Sequence, residues 1–278
     1  MFSCHTFASP VKVLITTFDP FRGHRQNASQ LVAEEMKKLG IEDTGIEFVF
    51  CNLPVEYEVA SRKAIECYEK MHPKPQMVLS LGEAGCEMRL ETRGHNLRHS
   101  APGSRDNAGR TMRNRVIEPG GPEHETSTLP WGDMYCAVPE IAQSETVPSV
   151  SPGFFVCNDI AYEFGRYLRT RSVPFGFLHV PSREICPQAQ GPAPLAQRIE
   201  SMVTAAVRSL QIRSADQSVQ NFCHRSDPML RQLALVSRAS REACLADYHR
   251  QVDLANRRFE SPTRSDHQGQ DKSRAPRR

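Results

Sequence analysis

The chain has 278 residues, 39% of them hydrophobic, with 35 Lys+Arg against 32 Asp+Glu and a formal charge of +3. That suffices for one large globular domain or two small ones, and it excludes collagen, a disulfide-stapled miniprotein and a wholly disordered chain. No apolar run approaches the roughly 18–20 residues that span a bilayer, and the opening MFSCHTFASP lacks the basic start and apolar stretch of a secretory signal, so a soluble cytoplasmic protein without membrane contact is expected.

Residues 11–18 (VKVLITTF) form a β-branched run of strand length, and NASQLVAEEMKKLG (27–40) follows as an amphipathic helix with Asn27 or Ser29 as cap and Gly40 as stop. The alternation repeats with a strand at 46–53, a helix at 56–72 and a buried strand at 76–82. It predicts an α/β sandwich with a largely parallel sheet, whose functional loops sit at the carboxyl ends of the strands. Residues 97–125, rich in Gly, Pro and Arg, carry no periodicity and read as a long functional or disordered loop. A helix is expected after Pro130, and 151–171 reads as a loop that turns into a helix. FGFLHV (175–180) is a strand, and 192–210 is a helix with Leu195, Ile199, Met202, Val203, Ala206 and Leu210 on one face.

The basic excess lies in residues 211–278, with 13 Lys+Arg against 8 Asp+Glu. Helical spacing at 228–259 predicts one or two amphipathic helices, whereas 260–278 has no large apolar residue and is expected to be disordered. The boundary places a catalytic domain at 1–212 and a basic extension at 213–278, removable near residue 212 without loss of activity. The tail lacks interleaved aromatics, so no nucleic-acid partner is expected.

Nine cysteines, an odd number spread from Cys4 to Cys244 with no CxxC pair, fit neither a disulfide framework nor a zinc ribbon, and free thiols are expected. Among them Cys157, in GFFVCND, stands where a strand-like run gives way to a helix, where first-turn amides and the helix dipole favour a thiolate. His179 ends the strand GFLHV and is the natural partner, and Glu91 is the candidate acid. His95 and His99 are four apart but lack the intervening Glu of a zinc helix, so no metal is expected, and no glycine-rich phosphate or dinucleotide loop calls for a cofactor. Phe18 and Phe21, flanking Asp19 and Pro20 at the end of the first strand, either wall a pocket for a small flat ligand or cap the core.

FDPFRG (18–23), NAS (27–29), ETRGHN (91–96), RDNAG (105–109), STLP (127–130), SVSPGFFVCN (149–158) and GFLHVP (176–181) occur in this order over some 200 residues. In these segments the chain resembles the pyroglutamyl peptidase I (pyrrolidone-carboxylate peptidase) family of cysteine peptidases. The resemblance implies a three-layer α/β/α sandwich of the phosphorylase/hydrolase-like kind with a mostly parallel, mixed sheet. It further implies Cys157 as nucleophile, His179 as general base and Glu91 as orienting acid, acting on N-terminally pyroglutamylated peptides, with Phe18, Phe21 and Asn27 at the ring pocket and self-association as a dimer or tetramer. The chain departs from the family at four places. Arg22 stands where Gly is usual, Glu83 where a neutral residue is commoner, and the 82–91 segment is about two residues short. The family's oxyanion arginine has Arg89 as its nearest counterpart. Two readings of other classes remain: a thiol amidase for a different small N-terminal group, and a non-catalytic binding protein.

Overall fold

The computed structural model describes residues 10–38, 46–215 and 228–260. In chain order the elements are β1 (Val11–Phe18), α1 (Ala28–Lys38), β2 (Ile46–Leu53), α2 (Val59–Lys70), β3 (Met77–Glu83), β4 (Met88–Glu91), β5 (Arg93–His95), β6 (His124–Thr126), α3 (Trp131–Cys136), α4 (Glu140–Gln143), β7 (Thr146–Ser149), α5 (Val156–Asp159), which runs through a π-helical turn (Ile160–Phe164) into α6 (Gly165–Arg169), β8 (Phe175–Val180), α7 (Pro192–Ala215) and α8 (Pro228–Glu260). The main sheet has the order β2-β1-β3-β8-β4-β7, and β5 pairs with β6 in a separate ribbon. All neighbours in the main sheet are parallel except β4 and β8.

The central strands β1, β3 and β8 are buried on both faces, which is why they read as unbroken apolar runs. Their side chains alternate between two cores. Val13, Ile15, Leu79, Leu81, Leu178 and Val180 pack with residues of α1, α3 and α7, whereas Leu14, Phe18, Val78, Phe175 and Phe177 pack with residues of α2 and α5 through α6. This is the expected α/β/α sandwich. A polar group in a central strand needs an internal partner, and Thr16 donates to Ser80 Oγ at 2.7 Å.

Asn27 caps α1: its carbonyl accepts from Gln30 N and its Oδ1 from Ser29 N at 3.0 Å. The single helix expected after Pro130 is two, α3 and α4, because Pro139 lacks the N–H that would continue the first. The long 97–125 segment is ordered: Arg98 bridges Arg115, and Asp106 accepts from the amides of Tyr57, Ala108 and Arg110.

The expectation of free thiols is overturned. Cys51 pairs with Cys67, Cys86 with Cys186 and Cys136 with Cys244, at Cα separations of 6.3, 5.3 and 5.9 Å. Two of these pairs join residues 100 and 108 positions apart, so only the folded chain brings them together. Cys157 is free. Cys4 and Cys223 lie outside the described residues, as does the stretch expected to be disordered, 260–278, apart from Glu260, which ends α8.

The basic extension also departs from its expected independence. Tyr248 of α8 is buried against Tyr135 at 5.6 Å, Gln251 donates to Tyr135 Oη at 2.8 Å, and Cys244 is bonded to α3. The helix completes the layer on the α1, α3, α7 face.

Candidate active site

Strand parity decides which residues can meet. On β8, Phe175, Phe177 and His179 share the face covered by α2 and α5. Across the antiparallel β4–β8 pair, Arg89 stands opposite His179 and Glu91 opposite Phe177. Glu91 therefore lies one diagonal step below His179, a distance its two methylenes can cover. Its Oε1 is 2.8 Å from His179 Nδ1, and both side chains are buried. A carboxylate only accepts, so Nδ1 carries the proton and Nε2 is left for the far side of the ring. Glu91 Oε2 makes no hydrogen bond within the described protein, so His179 is the partner of this buried charge.

Cys157 comes from the same face, in the first turn of the helix that begins at Val156. Its thiol stands close enough to His179 for the two to interact electrostatically. Burial works to lower the imidazole pKa, but the charges and hydrogen bonds of Cys157 and then Glu91 outweigh it and raise it to about 9. The structure thus brings together Cys157, His179 and Glu91, three residues from three separate segments, in an arrangement that holds an imidazolium beside a sulfur.

Two further residues make this geometry possible, and sequence reasoning missed both. A Cβ on Gly82 would stand 2.7 Å from Phe177 Cζ and 3.1 Å from His179 Cδ2, so only glycine leaves room for the imidazole beside β3. Asn158, fully buried, accepts from His95 N and donates to the carbonyls of His95 and Leu97, each at 2.8 Å. It bolts the helix carrying Cys157 to the strand that follows Glu91. Gly94 lets that strand approach, since a Cβ there would meet the π-turn backbone at 2.6 Å. The doublets Cys157-Asn158 and Gly94-His95 were visible in the sequence; their contact was not.

The proposed ring-pocket residues separate. Phe18 is 2% exposed and packs on Phe177 at 6.3 Å, so it is core beneath the site and not a wall. Asn27 is likewise turned inward, donating to the Asp19 carbonyl at 3.1 Å and accepting from Ser29, and it shapes the first loop. Phe21 is half-buried and faces Phe155 at 6.4 Å, with Tyr57 edge-on to Phe155 at 5.1 Å. Phe155, two residues before Cys157, is the second aromatic face that the sequence did not single out.

The departures noted above find places too. Glu83 belongs to the opposite face of β3 from Gly82: its Oε2 accepts from Ala28 N at 2.6 Å at the start of α1, and its Oε1 meets His24 Nδ1 at 3.1 Å. It is a helix-terminal charge, not a pocket group. Arg89 is level with His179, with its guanidinium beside Gly85 and no acidic partner among the described residues. Arg22 lies over Phe21 at 5.5 Å and Phe155 at 6.0 Å and donates to Ser104 Oγ at 2.9 Å. The His95 and His99 pair is split: His95 Nδ1 meets His124 Nδ1 at 3.1 Å, and His99 Nδ1 meets Asn114 Oδ1 at 2.9 Å. Among the described residues no cluster of three or more His, Cys, Asp or Glu is placed to hold a metal.

A profile described as pyroglutamyl peptidase matches residues 11–213. The pyrrolidone-carboxylate peptidase of Coprothermobacter proteolyticus is 31% identical over 206 residues, covering 72% of this chain and 94% of that protein. That of Deinococcus radiodurans is 32% identical over 204 residues, covering 70% and 90%. The crystal structure of pyroglutamyl peptidase I from Bacillus amyloliquefaciens superposes with a TM-score of 0.61 at 26% identity, over 71% of this chain and 96% of that one. Spanning nearly all of these relatives, and carrying the cysteine, histidine and glutamate segments in one site, the chain belongs to the pyroglutamyl peptidase family.

Proposed function

We propose that this protein is a cysteine peptidase that hydrolyses the amide after an N-terminal pyroglutamyl residue and releases 5-oxoproline. The observation that carries the reading is the buried His179, hydrogen-bonded to Glu91 and interacting electrostatically with Cys157. Cys157 attacks the pyroglutamyl carbonyl as the thiolate, and the C–N bond breaks as the imidazolium gives its proton to the leaving amine. His179 then takes a proton from water, which adds to the thioester carbonyl and expels the thiolate. Glu91 holds the imidazole in its tautomer and balances its charge. Arg89, a cation at the level of His179, is the proposed donor to the oxyanion.

Substrate choice follows from the walls. Pyroglutamate is a flat, uncharged lactam, suited to the faces of Phe21 and Phe155. N-terminally pyroglutamylated peptides are therefore the proposed partners. No helix among the described residues is long and apolar enough to cross a membrane. A cytoplasmic setting is the expectation from the sequence, whereas three disulfides favour an oxidising one; fractionation with thiol trapping separates them.

The test is release of aminocoumarin from its pyroglutamyl amide, beside prolyl and glutaminyl amides, with and without a thiol alkylating agent. Alkylation-sensitive turnover of the pyroglutamyl compound alone, abolished in Cys157→Ser and His179→Ala, is the expected result. Turnover of another blocked amine instead would make the protein a thiol amidase of different specificity.

A further inference from the structure

The first loop contains a residue whose conformation is costly and whose contacts inside the protein do not account for it. Arg22 has φ 55°, a left-handed conformation that glycine adopts freely and a long side chain does not. Its guanidinium has no acidic partner among the described residues: it rests on the Phe21 and Phe155 rings and donates to the Ser104 hydroxyl. An arginine so placed keeps free donors and a whole positive charge against the ring of Phe155, which stands two residues along the chain from the proposed nucleophile.

The guanidinium opens onto a groove of about 610 Å³ lined by Arg22 and residues 101–107. The groove is cationic. Arg105 spends one donor on the Gly109 carbonyl and has no acidic partner among the described residues. The one carboxylate in the lining, Asp106, is buried and fully engaged, with Arg110 and the amides of Tyr57, Ala108 and Arg110 around it. The floor is also fixed, since Asp106 pins the turn and Asn107 donates to the Pro20 carbonyl at 2.9 Å. A rigid groove with two uncompensated guanidinium groups, starting at the aromatic pair, complements an anion.

We propose that Arg22 and Arg105 form a carboxylate-reading subsite, so that the enzyme prefers pyroglutamyl peptides bearing a carboxylate beyond the scissile amide. This rests on the peptidase reading above and narrows its substrate class. The carboxylate is either an acidic side chain or the chain terminus of a short peptide; a planar guanidinium takes both in the same bidentate manner. Binding displaces Arg22 from Ser104, a neutral partner, in favour of a charged one.

The experiment compares kcat/KM of the full chain for pyroglutamyl-alanine amide, pyroglutamyl-alanine with a free carboxylate, pyroglutamyl-glutamate amide and pyroglutamyl-lysine amide at low ionic strength. A carboxylate preference of about tenfold over the neutral amide is expected, shrinking with added salt, and the better of the two acidic peptides identifies the source of the charge. In Arg22→Gln, which keeps a donor for Ser104, the ratio of acidic to neutral substrates falls toward one. In Arg22→Glu it inverts in favour of the lysine peptide. Unchanged ratios in both variants, with far-ultraviolet circular dichroism intact, overturn the subsite. An equal loss on all four peptides also overturns it, making Arg22 a wall of the ring pocket. If wild type releases 5-oxoproline from none of them, the peptidase reading falls and takes this inference with it.

Discussion

His179 holds its proton to a pKa of about 9 even though burial opposes it, because Cys157 and Glu91 together favour the imidazolium. The leaving amine needs that proton, so kcat/KM should fall about tenfold per unit as pH rises beyond about 9, as read from a pH profile on the pyroglutamyl amide. Stability follows the same sign. The folded value lies above the ordinary 6.5, so the stabilising contribution is complete below about 6.5 and disappears as pH rises through about 9. Gly82 offers a second test. Gly82→Ala puts a methyl 2.7 Å from Phe177 and 3.1 Å from His179, and displacing the imidazole should lower kcat by about 10²-fold. A stability loss without a change in kcat would show that the ring yields elsewhere. The triad residue types were legible in the sequence, since a cysteine at a helix start and a histidine closing a strand have local signatures. Gly82 and Asn158 were not, because their roles exist only in contacts with β8 and β5.

Among the elements, β1, β3 and β8 were legible from their unbroken apolar runs. The strands β4 to β7 were not: they are three or four residues long, and MRLE or RGH carries no period-two signal. Their position comes from pairing, with β4 entering antiparallel beside β8 and so delivering Glu91. The sequence places α8 outside the catalytic domain, on composition, yet the helix buries Tyr248, and Leu245 Cδ2 would stand 2.7 Å from a Cβ on Gly132. Composition reports charge, and a basic helix with one apolar stripe is still a packed helix. Truncation after residue 215 should therefore cost on the order of 3–5 kcal/mol, from the lost disulfide and the uncovered apolar surface, seen as a lower Tm. An unchanged Tm would return α8 to the status of an appendage.

At the scale of the molecule, six cysteines among the described residues are paired and Cys157 is free. Alkylation of the native, unreduced protein followed by peptide mass mapping should label Cys157 and leave Cys51, Cys67, Cys86, Cys186, Cys136 and Cys244 unlabelled. Label on those six would mean the pairs are open. Strong reductant should lower Tm, chiefly through the Cys136–Cys244 link between α3 and α8.

The partners Glu91 and His179 are 88 positions apart, and Cys157 reaches them only when the β5 strand has docked against its helix. Such a site has no local nucleus, and its formation waits on contacts between segments far apart in the chain. Turnover is consequently a clock for the last stage of folding: during refolding from denaturant, secondary structure should return first and catalysis should lag until β4 has inserted beside β8.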